Sequence, residues 1–309
     1  MSNNPPKSCP GFTLVEMAIV LLILGLALGM VLNMSSGMRD AQNRQLVRTQ
    51  LNTLDTALAN FVAKNRRLPC PAVGTIASGA LNAGVEAISL GPPPVTNPPV
   101  GDCNPITQIN GVVPWVTLGL TESEGSDPWF GRISYRVDPV LARAAPFPAL
   151  MNMSDCDPSG TAPAGAGGIC QIPIPPCTGA AGCTSPTNYL TNKGLDVWNG
   201  VGAAIGWATR ENNRAAGTGA AYVIISHGPS GTGAYNSSGI LQPGSIVAGA
   251  NNETQNLNNR VVAIPSVLAT TYRDAQLNDI AAAAHFDDYL SHPTIMSVLN
   301  KANLGPRAH

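Results

Sequence analysis

PGFTLVEMAIVLLIL, residues 10–24, places one glutamate, Glu16, at the start of an otherwise apolar run. From Met17 to Leu32 no side chain carries a charge or a strong hydrogen-bonding group, and between Phe12 and Leu32 only Thr13 and Glu16 are polar. At about 1.5 Å per residue a helix over this stretch spans roughly 30 Å, the hydrocarbon thickness of a bilayer. A carboxylate in such a helix costs roughly 2.5–3.5 kcal/mol at the membrane centre, and less toward the interface, so a partner is expected. No cationic side chain of the span can serve. The nearest candidate is a backbone amine, which a cut between Gly11 and Phe12 would create.

That pattern resembles the N-terminal signal of type IV pilins and type II secretion pseudopilins: a short polar leader with a lysine (Lys7), then G/FTLVE, then the apolar helix. The resemblance implies that a prepilin peptidase cuts between Gly11 and Phe12 and methylates the new N-terminal Phe12. It also implies that Glu16 is a docking residue, pairing with the amine of a neighbouring subunit in a filament. An α-amino group with a pKa near 8 has its charge balanced by such a carboxylate in a low-dielectric setting. The tip pseudopilin of these systems lacks the glutamate, so Glu16 favours an incorporated subunit.

Two plainer readings compete. A secretory signal would want small residues after the apolar core, and Ser35-Ser36-Gly37 could pass, but it leaves Glu16 unexplained. A simple anchor leaves it unexplained too. Gly25 and Gly29 form a GxxxG of the kind that lets helices approach closely, or a chance pairing in a run rich in small residues. Many pilins carry a proline where this chain has Asn33; here Ser35, Ser36 and Gly37 are weak helix formers that could supply the same softness.

Seven cysteines occur: Cys9, Cys70, Cys103, Cys156, Cys170, Cys177 and Cys183. Cleavage after Gly11 removes Cys9 and leaves an even set in an oxidising compartment. Local pairing is the expectation, Cys70 with Cys103, Cys156 with Cys170, and Cys177 with Cys183, although spacing does not choose among the connectivities. Zinc on these cysteines is disfavoured, since no CxxC occurs and no histidine is interleaved.

Charged residues make up 11% of the chain, against 32 glycines and 27 prolines, which points to a loop-rich extracytoplasmic domain. Removal of Lys7 takes the formal charge from −1 to −2, so nothing attracts nucleic acid electrostatically. After the apolar run, Val47, Leu51, Leu54, Leu58, Phe61 and Val62 recur at helical steps, and Pro69 ends the pattern. One helix from Phe12 to about Asn65 would measure roughly 80 Å. The expected domains are a leader (1–11), a transmembrane and polymerisation helix (12–33), its amphipathic continuation (34–68) and a globular head (69–309). Residues 150–190, rich in Cys, Pro and Gly, read as an insertion held by disulfides.

Strand character is predicted over Val112–Leu120, Ile133–Val137, Ala221–Ser226 and Val261–Ile264. VPWVTLGL and SDPWFGRISYRV also resemble the strand region of pseudopilin-like proteins, with an Asp-Pro-Trp turn leading into a hairpin. Two C-terminal helices are predicted, Val197–Thr209 capped by Asp196 and Asp274–Leu290. The expected fold is α+β: a pilin-like lollipop with a long N-terminal helix packed on a small antiparallel sheet.

Enzyme motifs are absent from the sequence. SHGPSGTGAYNSSG lacks the Gly-Lys-Ser/Thr of a phosphate loop, and no GxSxG occurs, so Ser230 and His227 read as turn residues. His285, Asp287, Asp288 and His292 read as a polar helix face, with His285 and Asp288 one turn apart. No cofactor is expected, although Asn251, Asn252 and Glu253 offer oxygen ligands of the kind calcium takes.

The function expected is a structural, minor subunit of a type IV pilus or type II secretion pseudopilus. The implied partners are prepilin peptidase, other pilin or pseudopilin subunits, an inner-membrane assembly platform and membrane lipid. The location would be the bacterial inner membrane with the head in the periplasm, then a filament that could reach the cell surface. Alternatives are an adhesin-like or cargo-binding minor pilin and, less favoured for want of a convergent acid, base or nucleophile set, a membrane-anchored periplasmic enzyme.

Overall fold

No proline occurs between Pro10 and Pro69, and between them the chain forms one helix, α1 (Leu14–Asn65). It stops where Arg66 turns left-handed, with φ 55°. The computed structural model describes residues 13–89, 101–104, 110–145, 150–154, 186–199, 209–243, 253–258, 271–278 and 285–307, apart from the side chains of 27–38, 187, 188 and 255. Two compact units result, Met1–Leu46 and Val47–His309. Among the described residues the first contains only helix.

In the second unit the apolar stripe of α1 is buried: Val47, Leu51, Leu54, Leu58 and Val62 join one cluster with Tyr135, Tyr222, Ile224 and Tyr289. Full burial of each aliphatic side chain contributes about 1.5–3 kcal/mol before entropy is counted.

The strands are β1 (Ala72–Val73), β2 (Gly111–Val112), β3 (Ser134–Val137), β4 (Asp196–Asn199), β5 (Thr209–Asn212), β6 (Tyr222–Ser226), β7 (Thr271–Asp274) and β8 (Tyr289–Ser291). The helices after α1 are short: α2 (Trp115–Leu118), α3 (Pro139–Ala142), α4 (Pro186–Leu190) and α5 (Ile295–Lys301). One sheet has the order β1-β2-β3-β6-β8 and a second the order β5-β4-β7. All pairings of the first are antiparallel. In the second, β4 runs antiparallel to β5 and parallel to β7.

Strand β6 explains its own sequence. Tyr222 and Ile224 enter the cluster with α1, while Val223 and Ile225 enter another with Leu195, Val197 and Tyr272 from the three-stranded sheet. A strand covered on both faces reads as a continuous apolar run rather than an alternating one. Before β3, the Asp-Pro-Trp turn is held by Asp127, whose Oδ1 accepts the N–H groups of Trp129 and Gly131 at 3.1 and 2.9 Å. Its Oδ2 accepts the Ser226 hydroxyl at 2.7 Å. Cys70 and Cys103 are disulfide-bonded, inside the cluster that contains the α1 stripe.

Several expectations are corrected. The predicted helix over 197–209 begins instead as β4 and ends as β5: Asp196 caps no helix that follows it, and its Oδ1 accepts instead the distant Arg214 N–H at 2.9 Å, at the start of the 3-10 turn Arg214–Ala216. The predicted helix over 274–290 starts in β7 and ends in β8. The C-terminal helix is α5, capped by Thr294, whose side chain accepts the Ser297 N–H. The 112–120 stretch is strand only at its start. Pro114 interrupts it, and Trp115–Leu118 form one helical turn closed by left-handed Gly119. His285 and Asp288 therefore share no helical face. Val261–Ile264, Cys156, Cys170, Cys177, Cys183 and nearly all of the 150–190 insertion lie outside the described residues.

Candidate functional site

At the start of α1 the sequence Thr13-Leu-Val-Glu16 folds on itself. The Thr13 N–H and hydroxyl donate to Glu16 Oε2 at 2.9 and 3.0 Å, and the Glu16 N–H donates back to Thr13 Oγ1 at 3.3 Å. This reciprocal arrangement is a capping box, which satisfies otherwise orphaned N–H groups of the first turn. Thr13 is not among the site residues expected from the sequence, although Thr-x-x-Glu before an apolar run is the signal for this cap. Gly11 and Phe12 lie outside the described residues.

Beyond the cap, every large apolar side chain from Leu14 to Leu26 is exposed, Leu14 at 87% and Leu21 at 64%. Exposed apolar area of this extent marks a surface awaiting a membrane or a protein. Among the described residues no helix is long and apolar enough to cross a membrane. The side chains of 27–38 lie outside the described set, and the apolar sequence continues to Leu32.

A polar network threads the second unit. Ser134 Oγ lies 2.9 Å from His227 Nε2, and His227 Nδ1 lies 3.4 Å from Asp288 Oδ1. The order hydroxyl, imidazole, carboxylate is that of a nucleophile, its base and an orienting acid, but His227 Nδ1 makes no hydrogen bond, so the orienting link is not formed. Here Ser134 also accepts the Asn258 amide at 2.8 Å, and Ser134 and His227 are both fully buried. Of the two described cavities, the larger, about 1010 Å³, lies between α1 and α2. The smaller, about 480 Å³, touches Asp288 but neither Ser134 nor His227.

Next to that network, Glu253 Oε1 accepts the Asp287 N–H at 2.9 Å and lies 3.0 Å from His285 Nδ1. Burial, and then the charge of Asp288, push the Glu253 carboxyl up to about 7. Burial also raises Asp287, whose two oxygens accept the N–H and hydroxyl of Ser230. Of the calcium candidates, Asn251 and Asn252 lie outside the described residues and Glu253 is turned into this cluster.

A third group lies on the three-stranded sheet. His292 Nε2 is 3.1 Å from Asp274 Oδ2 and 3.3 Å from Glu211 Oε2, and its Nδ1 is 2.7 Å from Asn212 Oδ1. Burial alone would lower the His292 pKa, but the hydrogen bond to Asp274 and the charges of Asp274 and Glu211 outweigh it and raise it. By sequence position His292 groups with His285, Asp287 and Asp288. The fold separates it from them and joins it to Glu211 and Asp274, a link that only strand pairing reveals.

Comparison with known families finds the prokaryotic N-terminal methylation motif at residues 6–32. The chain thus carries the signature of type IV pilin and pseudopilin precursors. No curated protein and no solved structure gave a match.

Proposed function

We propose that this chain is a structural subunit, of the minor kind, of a type IV pilus or a type II secretion pseudopilus. In this reading prepilin peptidase cuts between Gly11 and Phe12 and methylates Phe12. The apolar helix anchors the chain in the inner membrane with the second unit in the periplasm, in the lollipop arrangement of pilins. Glu16 then docks the helix against neighbouring subunits on the assembly platform. The observation that carries the reading is the methylation motif at residues 6–32. Exposed apolar side chains from Leu14 to Leu26 support it, as does a capping box that fixes Glu16 at the first turn. A minor role is favoured by the size of the 69–309 region and its cysteine-rich insertion.

No catalytic role is assigned to Ser134, His227 and Asp288. Full burial of the hydroxyl and its engagement by Asn258 support a packing role. The test is processing in a host expressing prepilin peptidase. The natural chain should shorten by the eleven-residue leader, while Gly11→Ala, which crowds the scissile position, should accumulate as precursor. Efficient maturation of Gly11→Ala would count against the assigned cleavage site.

A further inference from the structure

Strand pairing places Arg210 opposite Trp198 and Asn212 opposite Val197, so Glu211 is the extra residue of a β-bulge. In a regular strand Glu211 and Asn212 would point to opposite faces. The bulge re-aims them, and both reach one imidazole: Asn212 Oδ1 at Nδ1 and Glu211 Oε2 at Nε2 of His292.

The Asn212 amide is oriented by its other end, where Nδ2 donates to the Thr218 carbonyl at 3.3 Å. Its oxygen therefore faces His292, and Nδ1 must carry the hydrogen and donate it. In the neutral ring this leaves a lone pair on Nε2, facing Asp274 Oδ2 and Glu211 Oε2. Three acceptors converging on one point call for a positive centre, which is either the Nε2 proton of an imidazolium or a metal ion. An imidazole whose Nδ1–H is held by an oxygen while Nε2 meets carboxylates is the arrangement of a metal-ligating histidine with its supporting partner.

We propose that His292 Nε2, Asp274 Oδ2 and Glu211 Oε2 bind a divalent metal ion of the zinc class. The three ligand atoms lie within 4.8 Å of one another. Bonds of about 2.0–2.2 Å in tetrahedral geometry put ligand atoms about 3.3–3.6 Å apart; Glu211 Oε2 lies at 3.3 Å from Nε2, and Asp274 Oδ2 at 3.1 Å would move out slightly on binding. Imidazole nitrogen beside two carboxylates suits zinc, whereas calcium takes six to eight oxygens. Water would complete the tetrahedron. The ligands come from β5, β7 and the residue after β8, so the ion ties three separate segments together. The Glu253 group is a poorer candidate, because the Asp287 oxygens are engaged by Ser230 and Glu253 Oε1 faces two nitrogen groups.

The test uses the full chain in detergent, stripped with chelator and titrated with zinc chloride at pH 7.5 by calorimetry, with bound metal counted after gel filtration. One zinc per chain is expected. Glu211→Gln and Asp274→Asn, near-isosteric changes, should each weaken binding at least about tenfold, and Asn212→Ala about 10–100-fold through the lost ring support. Absence of zinc uptake by the natural chain would overturn the site and leave His292 as an imidazolium between two carboxylates. Uptake unchanged by Glu211→Gln and Asp274→Asn would overturn it too, placing the ion elsewhere.

Discussion

The phenol of Tyr222 on β6 donates to Asp55 Oδ1 on α1 at 2.9 Å. The other oxygen of the same carboxylate accepts the Ser291 hydroxyl from β8 at 2.6 Å. One side chain of α1 thus joins two neighbouring strands, and it does so where the Tyr222 ring is almost fully buried. Burial, followed by the charge of Asp55, drives the Tyr222 pKa well above its ordinary value, so the phenol remains the donor.

Asp55→Ala should therefore destabilise the second unit. A buried donor left unsatisfied costs about 1–3 kcal/mol, and a domain of this size loses about 2–4 °C per kcal/mol. Thermal unfolding followed by circular dichroism should show a loss of roughly 2–12 °C on these scales. Asp55→Asn, which keeps an acceptor, should fall between. An unchanged midpoint for Asp55→Ala would show that the contact adds nothing.

Removing the Cys70–Cys103 bridge, 33 residues apart in sequence, should also lower stability. Loop closure of that length predicts about 3–4 kcal/mol from the lost constraint on the unfolded chain. Cys70→Ser and Cys103→Ser should unfold at lower temperature than the oxidised natural chain and should no longer respond to reductant at this pair. Equal midpoints would mean that packing already fixes the loop.

Glu16 caps α1, and the docking role proposed for it is separable from that cap. Glutamine preserves a capping box but carries no charge, so Glu16→Gln distinguishes helix capping from docking. If docking uses the carboxylate, Glu16→Gln and Glu16→Ala should both be cleaved and inserted normally yet be depleted from sheared filaments. Wild-type incorporation of Glu16→Gln would reduce Glu16 to a helix cap.

Stability should also fall as pH rises through the Glu253 titration. The folded carboxyl holds its proton up to about 7, against 4.5 unperturbed. Between those values the folded chain binds more protons than the unfolded chain, and the slope of unfolding free energy with pH is negative. Glu253→Gln keeps an acceptor for the Asp287 N–H without the charge. It should raise the unfolding midpoint relative to the natural chain at pH 8 and change it little at pH 5. A larger gain at pH 5 than at pH 8 would contradict the assignment.

The legible part of the fold is the part built from local repetition. The α1 stripe repeats at helical steps, and β3 and β6 carry runs of residues suited to strands, so each is readable without knowledge of a neighbour. The misread segments follow non-local chemistry. Asp196 looks like a helix cap but accepts an N–H from Arg214, eighteen positions away. Trp115–Leu118 look like strand, yet Pro114 and Gly119 bracket a single helical turn. The candidate sites divide the same way. Thr13 and Glu16 lie one helical turn apart and are visible as a pattern. Glu211, Asp274 and His292 meet only because a bulge and two strand pairings assemble them.

The proposal that this chain is a processed, pilin-type subunit is decided at its mature N-terminus. Intact mass and N-terminal peptide mapping of the protein from native membranes test it most directly. The mature chain is expected to begin at N-methylated Phe12. A chain beginning near Arg39, or one still carrying Met1 where prepilin peptidase is active, would contradict it.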